Sequence, residues 1–204
     1  MAWSIRIIAY IERRSKIKHP LEFIPPENRG PIFWALLVWL VFMTIIMQLV
    51  GAPLKTSAAP MGIVSFELAG TPGKTFEILQ SWHPSGNTDA ELMVSGTQML
   101  YAAFGLGIDY LYMPTYALAL SLGILLALGR HKGWFASLGI WLGWGSLVAM
   151  LFDATENFAL WTILLGDVQS GWPLVAAVCA TLKFALIFIG LAYAVVGRLR
   201  PKSK

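Results

Sequence analysis

Four long apolar runs, separated by shorter polar stretches, organise the 204-residue chain. Roughly 20 apolar residues cross the hydrocarbon core of a bilayer as a helix. The first run, 31–50, is free of charge and polar only at Thr44 and Gln48. The second, 98–128, carries one charge, Asp109. The third, 134–165, stays apolar except around Asp153, Glu156 and Asn157, and the fourth, 172–197, carries only Lys183. This pattern predicts an all-α integral membrane protein, a four-transmembrane-helix bundle. The first run is longer than the roughly 7–15 apolar residues of a secretory signal, so it reads as a retained span.

The segments outside the runs carry their own signals. Residues 1–30 read as a cytoplasmic amphipathic helix and a Pro-rich connector. Trp3, Ile7, Ile8 and Ile11 oppose Arg6, Arg13, Arg14, Lys16 and Lys18 at helical spacing, as in a helix lying on an anionic leaflet. Pro20, Pro25, Pro26 and Pro31 then predict an extended connector over 19–31. Residues 51–97 form an external cap of short helices. Thr71 and Pro72 start one of them, continued by Phe76, Ile78, Leu79 and Trp82. Residues 83–87 make a turn, and Thr88 or Asp89 caps the helix that becomes the second span, with Glu91 in its first turn. The stretch 61–69 is mostly apolar but too short to span, which suits a lid or a partly re-entrant segment.

Charge distribution orients the spans. Twelve of the fifteen Lys and Arg residues lie before span one, between spans two and three (Arg130, Lys132), or in the basic tail 198–204. The opposite side holds only Lys55 and Lys74. Positive-inside bias therefore predicts a multi-pass cell-membrane protein with both termini cytoplasmic, a bacterial inner membrane being the default for so compact a chain. The pI near 9.3 becomes a topology signal, and nucleic acid is not an expected partner. Composition agrees: 57% of residues are hydrophobic, 13% are charged and the mean hydropathy is +0.65. Soluble domains carry about 25% charged residues.

Few motifs survive inspection. Gly70-Thr71-Pro72-Gly73-Lys74-Thr75 resembles half of a phosphate loop, but Leu68 stands where the first glycine belongs. One cysteine, Cys179, and three scattered histidines give no spacing for zinc or haem, so no cofactor is expected. Pro114 should kink span two. Gly139 and Gly143, with Gly145, offer a close-packing face on span three, for in-chain packing or dimerisation. Trp134 and Trp172 suit interface anchors. The deeper Trp141 and Trp144 would wall a ligand site or fill the bundle.

The candidate chemistry lies in the ionisable groups within the spans, since one charged side chain at mid-bilayer costs about 2.5–3.5 kcal/mol even on insertion scales. Asp109, Tyr112 and Tyr116 share one helix face, as do Asp153, Glu156 and Asn157. Lys183 sits about 16 Å below the start of span four. All of them would converge on one polar pocket, with Lys183 neutralising one carboxylate and leaving two acids unpaired. The leading expectation is a binding or transport component for a lipid-like or small amphipathic ligand, coupled in one version to protons. Asp109, Asp153 and Glu156 would be acceptors or proton carriers, Lys183 their counter-ion, and Tyr112, Tyr116 and Asn157 orienting groups. Two alternatives remain: an intramembrane acid–base isomerase acting on a lipid or isoprenoid, and a structural or assembly subunit of a membrane complex. Partners would be the bilayer, the ligand, and further copies of the chain or a larger complex.

Overall fold

The structure is a computed structural model that describes residues 17–82 and 89–201, with side chains described outside 89–96. Most of the expected interfacial helix, the 83–87 turn, the Thr88 cap and the end of the basic tail lie outside the described residues. Among the described residues six α-helices follow in order: α1 (Pro26–Gly51), α2 (Ile63–Glu67), α3 (Pro72–Trp82), α4 (Asp89–Leu128), α5 (Gly133–Leu164) and α6 (Trp172–Leu199). A 3-10 turn, Ala52–Leu54, extends α1. The described residues contain no strand, and α1, α4, α5 and α6 are long and apolar enough to cross a membrane.

Helix starts follow local chemistry. Pro25 precedes the first turn of α1 and Pro26 occupies its N1 position, where a missing N–H costs nothing. The helix therefore begins before residue 31. Residues 26–31 are helical, and only the chain before them is connector, which corrects the extended stretch expected over 19–31. In α3, the Thr71 hydroxyl accepts from the Lys74 N–H at 3.4 Å, and Pro72 is the first helical residue. α4 runs unbroken through Pro114.

Helices α4, α5 and α6 pack on one another, whereas α1 rests chiefly on α4. Close approach within the trio depends on small residues, as is usual for apolar helices. A Cβ at Gly190 would meet Leu120 and Ile124 at 3.1 and 3.3 Å, and one at Gly197 would meet Ala127 at 3.0 Å. Gly139 faces the Tyr193 hydroxyl, and Gly143 faces the His19 ring. Tyr193 stacks on Phe135 at 4.5 Å and donates to its carbonyl at 2.9 Å. The glycine face of α5 is thus used inside the chain. Because small residues take the inward positions, the large indoles face out: Trp141 is 60% and Trp144 43% exposed. Neither fills the bundle nor walls a site, contrary to expectation.

The two ends of the bundle differ. At the cap end, Leu54, Ala59, Phe66 and Trp82 bury themselves against Ala102, Leu106, Leu160 and Ile163. The Trp82 indole donates to the Leu54 carbonyl at 2.8 Å, and Gln98 donates to the Pro53 carbonyl at 2.9 Å. Gly62 turns the chain into α2 with φ +62°, a conformation that side-chain-bearing residues rarely adopt. At the opposite end, which carries Arg130, Lys132, Arg198 and Arg200, residues 17–24 fold back alongside the helices as a hook. Leu21 packs against Leu122 and Leu125, and the Arg29 guanidinium donates to the carbonyls of Glu22 and Ile24.

His19 lies at the tip of the hook, against Gly143, ten residues into α5. Its Nδ1 accepts from the Leu21 N–H at 3.2 Å. Burial and, secondarily, the Arg29 charge push the imidazole down from 6.5 to about 4. The folded state thus takes up this proton later than the unfolded chain. The resulting stability is present above about pH 6.5 and is lost as pH falls toward about 4, at most about 3 kcal/mol. Thermal midpoints in detergent at about pH 7 and about pH 4 check this. His19→Gln should show a smaller acid-induced drop than the parent, and an equal drop would refute the assignment.

Candidate functional site

The cluster is built around Lys183 of α6, 5% exposed and the one charge between Trp172 and Gly197 of that helix. Its ammonium lies 3.0 Å from Asp153 Oδ1, 2.8 Å from Glu156 Oε2 and 3.6 Å from Glu67 Oε2. Asp153 and Glu156 come from one face of α5 and are 2% and 0% exposed. Both are positioned by the 3.6-residue period, which brings i and i+3 to one side of a helix. Tyr116 of α4 completes this inner group, its hydroxyl donating to Asp153 Oδ2 at 2.8 Å.

A second, more open layer adjoins it. Asn157 donates to Asp109 Oδ2 at 2.8 Å and to the Leu106 carbonyl at 3.3 Å. Tyr112 stacks obliquely by Tyr116, ring centroids 5.7 Å apart, and its hydroxyl meets Thr44 Oγ1 of α1 at 3.2 Å. Thr44 already directs its hydrogen to the Leu40 carbonyl at 2.7 Å, so Tyr112 is the donor in that pair. All seven residues singled out from the sequence therefore meet in one place.

Two members were not anticipated. Glu67 ends α2 and dips from the cap into the bundle, 8% exposed. Burial raises its carboxyl above the ordinary carboxylate range, with the Lys183 charge opposing the shift. Its signal was present in the sequence: it is the only charge in the apolar stretch 61–69. Thr44 is the other. The charge balance also differs from expectation, because three carboxylates share Lys183 and Asp109 is held by Asn157 instead. Among the described residues, no group of three His, Cys, Asp or Glu side chains is arranged to hold a metal ion. The lysine ammonium occupies the point on which the carboxylates converge.

The cluster forms one end of a cavity of about 1040 Å³. This is a groove with α4 as its floor and α1 and α6 as its walls, left open because α1 and α6 barely touch. It runs from Gly30 and Arg198 at the basic end to Lys55 and Glu67 at the cap end. Phe33, Leu37, Leu120, Ile187 and Leu191 make its length apolar, while Asp109, Tyr112, Tyr116, Asp153 and Lys183 make one region polar. Ligand sites typically occupy about 300–1,000 Å³ and combine apolar walls with a few convergent polar groups. No family model matches the chain, and neither a curated protein nor a solved structure is significantly similar to it.

Proposed function

We propose that the chain is a multi-pass membrane protein, with both termini cytoplasmic, that binds a single-tailed amphipathic molecule in the groove between α1 and α6. The single observation carrying this reading is the continuity of a membrane-length apolar groove with a buried polar cluster at one end. An apolar tail lies along Phe33, Leu37, Ile187 and Leu191, and the head group reaches Asp109 and Tyr112. Lateral entry from the lipid phase needs no opening of the bundle, because α1 and α6 leave the groove's side unsealed. The inner group of Lys183, Asp153, Glu156 and Tyr116 holds the helices in register and fixes the polar end. The basic residues gathered at the hook end support the orientation.

The test is native mass spectrometry of protein extracted in mild detergent. Ala194 lines the groove, and Ala194→Trp fills its apolar stretch. Ala192→Trp, on an exposed position outside the groove, is the control. The parent and the control should retain a co-purifying amphiphile, and Ala194→Trp should lose it while keeping its thermal midpoint near that of the control. Equal retention by all three proteins would contradict the reading.

A further inference from the structure

The polar end of the groove is rich in acceptors and short of available donors. Four carboxylates, from Glu67, Asp109, Asp153 and Glu156, stand near one ammonium. That ammonium donates to Asp153 and Glu156, each at 3.0 Å, and its charge is shared with Glu67, whose Oε2 lies 3.6 Å away. Tyr116 is committed to Asp153 and Tyr112 to Thr44.

Two acceptors remain open toward the cavity. Glu67 Oε2 is buried, lines the groove and has no hydrogen-bond partner among the described residues, the Lys183 ammonium standing 3.6 Å away, beyond hydrogen-bond distance. Asp109 also lines the groove, and only its Oδ2 is engaged, by Asn157. A carboxylate buried without a donor is costly, and a second cation is the group that satisfies both charge and hydrogen bonding. Lys55 stands at the mouth with its side chain exposed, and Arg198 lies fifteen residues beyond Lys183, about 22 Å along α6. Neither fills that place.

We infer that the head group recognised here is a primary ammonium, so the ligand class is a long-chain amine whose nitrogen bridges Asp109 and Glu67. This deepens the groove reading and rests on it. A phosphate or carboxylate head would meet unpaired carboxylates, whereas a hydroxyl would supply one hydrogen and no charge.

The full-length protein in maltoside micelles is titrated with octadecylamine, octadecanol and octadecanoic acid, with native mass spectrometry and thermal shift as readouts. Octadecylamine should bind about tenfold or more tightly than either of the others, as expected for a desolvated charge-assisted pair. Asp109→Asn should remove most of that advantage. Amine binding no tighter than alcohol binding, or a preference for the acid, overturns the head-group assignment while leaving the groove occupied. Binding of all three that is unaffected by Ala194→Trp overturns the groove reading itself. The ligand comparison on the parent protein needs no variant to fold.

Discussion

Replacing Lys183 by methionine is expected to cost about 3–5 kcal/mol of stability, the usual result of removing one partner from a buried ion pair. The physical reason is specific to this cluster. Lys183 is the cation shared by Glu67, Asp153 and Glu156, all within 3.6 Å. Without it, three buried carboxylates must take up protons or repel one another. The loss should therefore be larger at neutral pH than in mild acid, where protonation relieves the repulsion. The double variant Lys183→Met/Glu156→Gln should recover part of the loss, because it removes one of the stranded charges. Detergent-unfolding curves for the parent and the two variants measure this. A Lys183→Met protein as stable as the parent would show that the ammonium does not hold the bundle together.

Trp82→Ala should have a comparable but local effect. Trp82 is fully buried, meets Phe66 edge-on at 5.2 Å and donates its indole hydrogen to the Leu54 carbonyl at 2.8 Å. Truncating a buried tryptophan costs about 3–5 kcal/mol. Here the loss falls on the cap, which is joined to the bundle mainly through this packing. Hydrogen exchange should accelerate over residues 52–82 and stay slow in α5 and α6. Because Glu67 is carried by the cap, the same variant should release Glu67 from Lys183 and weaken binding of any head group held there. Trp82→Phe, which keeps most of the packing and leaves the Leu54 carbonyl without its donor, should cost less, about 1–3 kcal/mol. Uniformly faster exchange throughout the chain would contradict a separable cap.

Much of the site was legible because charges in apolar helices have few places to go. Asp153, Glu156 and Asn157 could only face inward, and Lys183 needed an acid at its own depth. Depth counted at 1.5 Å per residue brought Asp109 and Lys183 level before any packing was known. Glu67 escaped because its depth depends on how the cap folds over the bundle, which no helical period encodes. Thr44 escaped because a hydroxyl on an apolar helix ordinarily bonds its own i−4 carbonyl, as it also does here. The groove itself leaves almost no trace in the sequence. Helices α1 and α6 are apolar on nearly every face, so their periodicity does not say which pair stays apart.

The hook and the outward tryptophans teach the complementary point. His19 sits in no motif, and its place follows from Gly143 having no side chain to exclude the ring. Trp141 and Trp144 suited an interior position by depth alone, but small residues at Gly139, Gly143 and Ser146 let neighbouring elements come too close for an indole. The Trp144 indole instead reaches round to donate to the Lys18 carbonyl at 2.9 Å, fastening the hook from outside. Helix packing distance, set by glycine and alanine, decided both outcomes.

If the groove binds an amphiphile as proposed, an apolar tail lies between α1 and α6 rather than over the outward faces of the helices. Photolabelling of the full-length protein with a long-chain amine carrying a diazirine on its tail tests this most directly, with adducts mapped by peptide mass spectrometry. Adducts should concentrate on Leu37, Ile187 and Leu191 and be competed away by unlabelled octadecylamine. Adducts spread evenly over outward positions such as Trp141 and Phe158, with no competition, would contradict it.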